Sequence, residues 1–139
     1  MLLSSKIAIH ITVRGRGVFA NKPILRREII EVCPTIVVGD NPGAPTDEAP
    51  CNEWAYHFGG KAVIALGAGS LYNHERWPNA NWNLRKVQGQ RYIELFALRD
   101  IKIGEEICIN YFGAPGEKGD LGFIPLDESK RPSRKRSKR

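Results

Sequence analysis

Leu71-Tyr-Asn-His-Glu-Arg-Trp-Pro-Asn-Ala-Asn81 and Gly104-Glu-Glu-Ile-Cys-Ile-Asn-Tyr-Phe112 are the two stretches on which the fold of this chain is decided. In the first, Asn73-His74 stands shortly before Pro78-Asn79, and the turn-formers sit among aromatic residues that a merely solvated loop does not need. The second reads as a turn, a short strand and two aromatic residues. A chain of 139 residues rarely leaves such rings exposed without use.

Working outward, Ile7-Ala-Ile-His-Ile-Thr-Val13 is rich in β-branched residues and predicts a strand, broken by Arg14-Gly-Arg-Gly17 and resumed at Val18-Phe-Ala20. Glu28-Ile-Ile-Glu-Val-Cys33 predicts another strand, ended by Pro34. Residues 39–50 read as an irregular loop, and 51–58 as one or two helical turns carrying Trp54 and Phe58 on one side. Ala62–Leu66 is strand-like, and Gly67-Ala-Gly69 leaves room for a close backbone approach. Arg91–Leu98 and Glu106–Tyr111 predict two more strands, the last with Ile107, Ile109 and Tyr111 on one face. No internal repeat stands out. The class is mainly β.

The length fits one domain, expected over residues 1–129. The formal charge of +6 is concentrated at the C-terminus: residues 1–129 hold 14 basic and 15 acidic side chains, whereas Lys130-Arg-Pro-Ser-Arg-Lys-Arg-Ser-Lys-Arg139 holds seven cations. That tail is expected to be disordered and able to bind nucleic acid or an acidic partner, or simply to solubilise the chain. Cys33, Cys51 and Cys108 are widely spaced and form no CxxC pair, which speaks against a disulfide scaffold and a structural zinc site. Apolar runs of secretory or membrane-spanning length are missing. The expected setting is intracellular, cytoplasmic or nuclear.

Several motifs have competing readings. Gly15-Arg-Gly17 lacks the third glycine and the GK[ST] of a phosphate loop, so it is either a tight turn or a place where bare backbone lies against a small ligand. His74 could serve as a metal ligand or base, but His10 and His57 are isolated and no second ligand stands at suitable spacing, so no metal is expected. Glu105 and Glu106 are adjacent in a strand and point to opposite faces, which excludes joint action on one bond.

Taken in order, Gly15-Arg-Gly-Val-Phe-Ala20, Asn73-His-Glu-Arg-Trp-Pro-Asn-Ala80 and Arg99-Asp-Ile-Lys-Ile-Gly-Glu-Glu-Ile-Cys-Ile-Asn-Tyr111 resemble the motifs of the SET-domain protein lysine methyltransferases, over residues 7–113. The resemblance implies a β-clip fold of small sheets with a C-terminal pseudoknot, S-adenosylmethionine in a pocket on one face, and a substrate lysine entering a channel from the other. It implies cofactor contacts from Arg16 and Gly17, a pocket shaped by Val18 and Phe19, Asn73 on the methionine end, the His74 backbone on the adenine, and Tyr111 as the catalytic tyrosine. Two departures stand out: Glu75-Arg76 follows the Asn-His pair where many members have Ser-Cys, and residues 112–139 contain no cysteine for a zinc-binding closing segment. The channel is then closed by Phe112, by residues 121–124, or by a second subunit in a homodimer. In this the chain is most like the minimal viral and bacterial members.

Methyl transfer to an amine requires the lysine neutral and in line with the sulfur–methyl bond. Free lysine titrates near about 10.4, so an aromatic, weakly polar channel beside a sulfonium must help it lose its proton. Trp54, Tyr56, Tyr72 and Phe112 are candidate walls, each with an ordinary core role as the alternative. Tyr111 suits orientation of the amine better than strong base chemistry. Ile109, where members often carry an aromatic residue, leaves space that favours products beyond monomethyl. The expected function is methylation of a protein lysine, on histone or a DNA-associated basic protein; the alternative is a noncatalytic module that presents its basic tail to nucleic acid or chromatin.

Overall fold

The computed structural model describes residues 4–39, 55–58 and 61–118. Among these are nine strands and no helix: β1 (Ile7–Thr12), β2 (Gly15–Ala20), β3 (Ile29–Gly39), β4 (Ala55–Phe58), β5 (Lys61–Ala65), β6 (Asn73–His74), β7 (Ala80–Val87), β8 (Gln90–Ala97) and β9 (Glu106–Ile109). They form a four-stranded sheet ordered β1-β2-β9-β6 and a five-stranded sheet ordered β4-β5-β3-β8-β7.

Several local expectations need correction. The glycine segment does not break the first hairpin: only residues 13 and 14 turn, and Gly15–Gly17 already lie in β2 opposite Thr12–His10. Thr12 makes this short turn, its hydroxyl oxygen accepting from the Arg14 amide at 3.0 Å and its proton going to the Gly15 carbonyl at 2.9 Å. Nor does β3 end at Pro34. Proline can sit there because the strand changes partner at that residue, pairing with β8 up to Pro34–Tyr92 and with β5 from Thr35–Ala65, so the missing N–H interrupts no continuous ladder.

Residues 55–58 are strand, not helix, because each pairs across to β5, from Ala55–Ile64 to Phe58–Lys61. The last strand stops at Ile109, with Ile107, Cys108 and Ile109 all buried, and Tyr111 has already left it in a turn. Strand β7 went unread in the sequence. It forms a hairpin with β8 through Gln88-Gly89, whose φ angles of 50° and 76° are those of a two-residue turn.

A repeat does exist. Ala20–Ile30 and Ala97–Ile107 cross in antiparallel fashion, Ile24 bridging Ile101 with both amide–carbonyl bonds made at 2.9 and 2.8 Å. Around this bridge the bonds occur in matched pairs: Ala20 N–H to Glu105 O at 2.9 Å against Ala97 N–H to Glu28 O at 3.0 Å, and Gly104 N–H to Ala20 O against Arg27 N–H to Ala97 O, both at 2.8 Å. The units align on alanine, two isoleucines and glutamate alone, too few identities for the sequence to announce them. Their isoleucines 24, 30, 101 and 107, with Val18, Ile93 and Leu95, fill the core.

The middle of the chain is caught from two sides. Strand β6 runs parallel to β9, Asn73 opposite Cys108 and His74 opposite Ile109, and beyond it the loop at 110–117 folds over Arg76. Gly116 N–H donates to the Arg76 carbonyl at 2.7 Å, and Arg76 Nε donates to the Gly116 carbonyl at 3.2 Å. This is the C-terminal pseudoknot that the resemblance implies.

The segment leading into β6 is packed tightly. A Cβ on Gly69 would lie 2.5 Å from Ala65 Cβ and 2.9 Å from Cys33 Sγ, so the close approach expected of Gly67-Ala-Gly69 is real at Gly69. Substituting Gly69→Ala is expected to destabilise the protein by about 1–3 kcal/mol through overpacking, read as a lower urea midpoint at unchanged slope.

Candidate functional site

The hairpin β1–β2, the two residues of β6 and the end of β9 meet at one place. Asn73 sits there with its carboxamide orientation fixed: Nδ2 donates to Glu106 Oε1 at 2.7 Å and to the Arg16 carbonyl at 3.2 Å. Both partners are acceptors, so Oδ1 faces away from them, and it takes no hydrogen bond among the described residues. The other oxygen of Glu106 binds the Arg14 guanidinium, which also donates to the His74 carbonyl at 3.2 Å. Arg14 therefore ties the hairpin turn to both β9 and β6.

Gly17 is glycine because of this cluster. A Cβ there would fall 2.6 Å from Glu106 Oε1 and 3.0 Å from Asn73 Nδ2. The backbone approach offered as a reason for Gly15-Arg-Gly17 thus exists at Gly17, with protein side chains as its immediate neighbours. Arg16 is exposed and contributes its carbonyl, Val18 is core, and Phe19 stands opposite Glu106 with its ring edge-on to His10 at 5.2 Å.

His74 is buried, and its Nδ1 accepts the Tyr111 amide at 3.1 Å. In the neutral ring the proton is then on Nε2, and Nδ1 is committed to holding the turn after β9. Among the described residues, no group of three His, Cys, Asp or Glu could hold a metal ion. The rings of Tyr111 and Phe112 flank the imidazole at 5.2 and 5.5 Å.

Tyr111 is 43% exposed, yet both ends of the residue are fixed, since its phenol donates to the Tyr72 carbonyl at 2.6 Å. Burial of the hydroxyl end, with Cys108 and Glu106 nearby against the opposing Arg14, pushes the phenol up to about 12. At neutral pH it is a proton donor and not a phenolate. Burial, reinforced by Glu106, likewise raises the Cys108 thiol to about 12 and leaves it unreactive.

The remaining expected channel residues are placed differently. Tyr72 is in the core, its hydroxyl donating to Glu31 Oε1 at 2.9 Å while Ala68 N–H donates to Oε2 at 3.0 Å. Tyr56 is buried, donates to the Gly69 carbonyl and packs edge-on against Trp82 at 4.9 Å. Burial raises both phenols well above 10, so both remain neutral. Ile109 is core, and Phe112 is half-buried beside His74. Trp54, residues 121–124 and the tail 130–139 lie outside the described residues.

Four contributors carry no site role in the sequence reading. Arg14 and Glu106 form the ion pair. Asn79 works as a stand-in for backbone, accepting the Cys108 amide at 2.9 Å and donating to the Glu106 carbonyl at 2.8 Å. Asn110, wholly buried, accepts the Phe112 amide at 2.9 Å and donates to the carbonyls of Arg76 and Glu117 at 3.2 and 3.0 Å, which sets the turn carrying Tyr111. Both asparagines stand inside the quoted motifs, Asn79 beside Pro78 and Asn110 beside Tyr111. The opposed faces of Glu105 and Glu106 are observed: Glu105 pairs with Arg99 at 3.1 Å, away from Arg14.

Residues 15–112 match the SET domain family. A histone-lysine N-methyltransferase of Schizosaccharomyces pombe, specific for H3 lysine-37, is 38% identical over 113 residues, spanning 79% of this chain and 76% of the relative. A crystal structure of a Plasmodium falciparum putative histone methyltransferase superposes with a TM-score of 0.64 at 30% identity, covering 80% of this chain and 95% of that one. With its sheets, its knot and its motif residues arranged as described, the chain belongs to the SET-domain family.

Proposed function

We propose that this protein is a histone-lysine N-methyltransferase that uses S-adenosylmethionine, with Asn73 and the β2 backbone holding the cofactor and Tyr111 orienting the substrate amine. The observation that carries the reading is the meeting of Asn73-His74 with Tyr111, joined by the Tyr111 amide on His74 Nδ1 and the Tyr111 phenol on the Tyr72 carbonyl. The histone substrate is taken from the S. pombe relative. Such a substrate places the enzyme with chromatin and, in a nucleated cell, in the nucleus.

The residues fit the cofactor. Its amino-acid end carries an ammonium, for which the outward Asn73 Oδ1 is an acceptor, and a carboxylate, for which the Arg14 guanidinium is a donor within the same cluster. Arg16, Gly17, Val18 and Phe19 supply the strand along which it would lie, and the His74 carbonyl is an acceptor for an adenine amino group. When bound, the cofactor's sulfonium supplies the methyl group and a positive charge that disfavours a protonated lysine.

The rest is positioning. A phenol titrating at about 12 cannot accept the lysine proton at neutral pH, so Tyr111 contributes an oriented dipole, and the amine reaches its neutral form by release to water. Phe112 and the Tyr111 ring provide the aromatic wall beside His74. The buried Ile109 shapes this region from the core side. The tail at 130–139 serves as a tether to nucleic acid or to an acidic partner, and a second subunit or residues 121–124 complete the channel.

Replacing Tyr111→Phe is expected to preserve folding and cofactor affinity and to lower kcat by about 100-fold or more, measured with a radiolabelled methyl group on recombinant H3. Near-normal turnover in a folded variant would remove Tyr111 from this role.

Calorimetric titration should show Asn73→Ala weakening S-adenosylmethionine binding by about 1–3 kcal/mol. Glu106→Gln should produce a related loss, since a neutral amide no longer fixes which end of Asn73 faces the ligand; unchanged affinity in both variants would reduce the cluster to a fold support.

Deleting residues 130–139 is expected to leave methylation of a short peptide unchanged and to flatten the salt dependence of DNA binding, which a filter assay across a salt series reads directly.

A further inference from the structure

Two turns close the opposite ends of the Ile24–Ile101 crossing, and they are built alike. In each, the residue before a glutamate takes a left-handed backbone conformation and donates its amide to an alanine carbonyl of the other segment at 2.8 Å: Gly104 at φ 84° and Arg27 at φ 70°. In each, the glutamate amide then bonds the carbonyl three residues back at 3.0 Å, Glu105 to Lys102 and Glu28 to Leu25. Left-handed backbone crowds the Cβ of an L side chain against the neighbouring carbonyl and costs glycine almost nothing. The molecule shows in its own second turn that glycine satisfies this geometry. The arginine at 27 is therefore not required by the fold.

Its side chain is exposed and makes no ion pair or hydrogen bond among the described residues, and the same holds for Arg26 and Lys102; exposed Lys22 reaches only the Ser5 hydroxyl, at 3.3 Å. The neighbouring carboxylates are already engaged. Glu28 pairs with Lys6 at 3.5 Å, Glu105 with Arg99 at 3.1 Å, and Asp100 accepts the Arg26 backbone amide at 2.8 Å. The crossing thus presents four cations without ion-pair partners among the described residues against one carboxylate, Asp100, that keeps its charge, so positive charge remains in excess.

We propose that this crossing is a second polyanion-binding surface, separate from the tail and on the folded domain, which contacts the phosphates of duplex DNA through Arg27 with Lys22, Arg26 and Lys102. An acidic protein would need an apolar anchor at the centre of such a patch, whereas the most exposed aliphatic residues here, Leu25 and Ile103, stand in different turns. Charges spread along a rigid crossing suit a phosphate rail. The inference does not depend on methyl transfer, and none of its residues belongs to the catalytic cluster.

The test uses the full chain and a 20-base-pair duplex over a salt series. Arg27→Gly is expected to retain or raise thermal stability, to leave methylation of a short peptide unchanged, and to reduce the slope of log K against log salt by about 1. The combination Lys22→Ser, Arg26→Ser, Arg27→Gly and Lys102→Ser should remove roughly four such contacts. Gly104→Ala, as the control, should lower stability without changing the slope. An unaltered slope in the fourfold variant, or a loss of binding to polyglutamate equal to the loss of binding to DNA, would overturn the proposal; so would a fall in stability for Arg27→Gly, because the arginine would then be serving the fold.

Discussion

Two residues of parallel strand hold the site together. Asn73 and His74 lie beside Cys108 and Ile109, and everything assigned to chemistry depends on that register. A shift by one residue would send the Asn73 carboxamide to the other face, away from Glu106, and would part His74 Nδ1 from the Tyr111 amide. A pairing this short cannot be stable by its own hydrogen bonds. It is secured by side chains acting in place of backbone: Asn79 on the edge of β9, Asn110 across the loop to Arg76 and Glu117, and Arg14 across the His74 carbonyl. Each is largely withdrawn from water, where an unpaired amide or carbonyl would cost about 1–3 kcal/mol.

The same device recurs behind the site. Glu31 is buried in the apolar interior, but both of its oxygens are occupied, by Ala68 N–H and Tyr72 O–H. Tyr72 is the link between layers, because its hydroxyl anchors to β3 while its carbonyl receives the Tyr111 phenol. The site tyrosine is thus referenced to the five-stranded sheet, although the residue itself follows β9 of the four-stranded one. Tyr111 owes its geometry to both sheets and its protonation to burial.

What the sequence made legible follows from how local the signal was. Ile7–Thr12, Ile29–Cys33, Arg91–Ala97 and Ile107–Ile109 are apolar and β-branched and could be read as strands, and the ordered motifs around Asn73 and Tyr111 gave the family. Strand β7 could not be read, since Asn83 to Val87 are exposed and show no alternation, and it exists because β8 supplies its partners. Pro34 misled because a single proline cannot reveal that its strand changes neighbours there. The helical reading of 51–58 rested on side-chain spacing, which β5 overrides with a ladder. Arg14 and Glu106, 92 positions apart, carried no mark distinguishing them from solvated charges. Only the fold makes them a pair.

The knot also sets when the protein becomes competent. Strand β6 leaves the ribosome more than thirty residues before β9, and the loop that closes over Arg76 extends to Glu117. Until those last residues emerge, the five-stranded sheet has all its strands, but Asn73 has no Glu106 and His74 has no Tyr111 amide to receive. Parallel pairing over such a span carries a loop-closure cost with few local contacts to offset it, which makes it a late and slow event. A nascent or prematurely terminated chain would therefore possess most of the core and none of the site, so that the cluster around Asn73 assembles only after synthesis has passed it by.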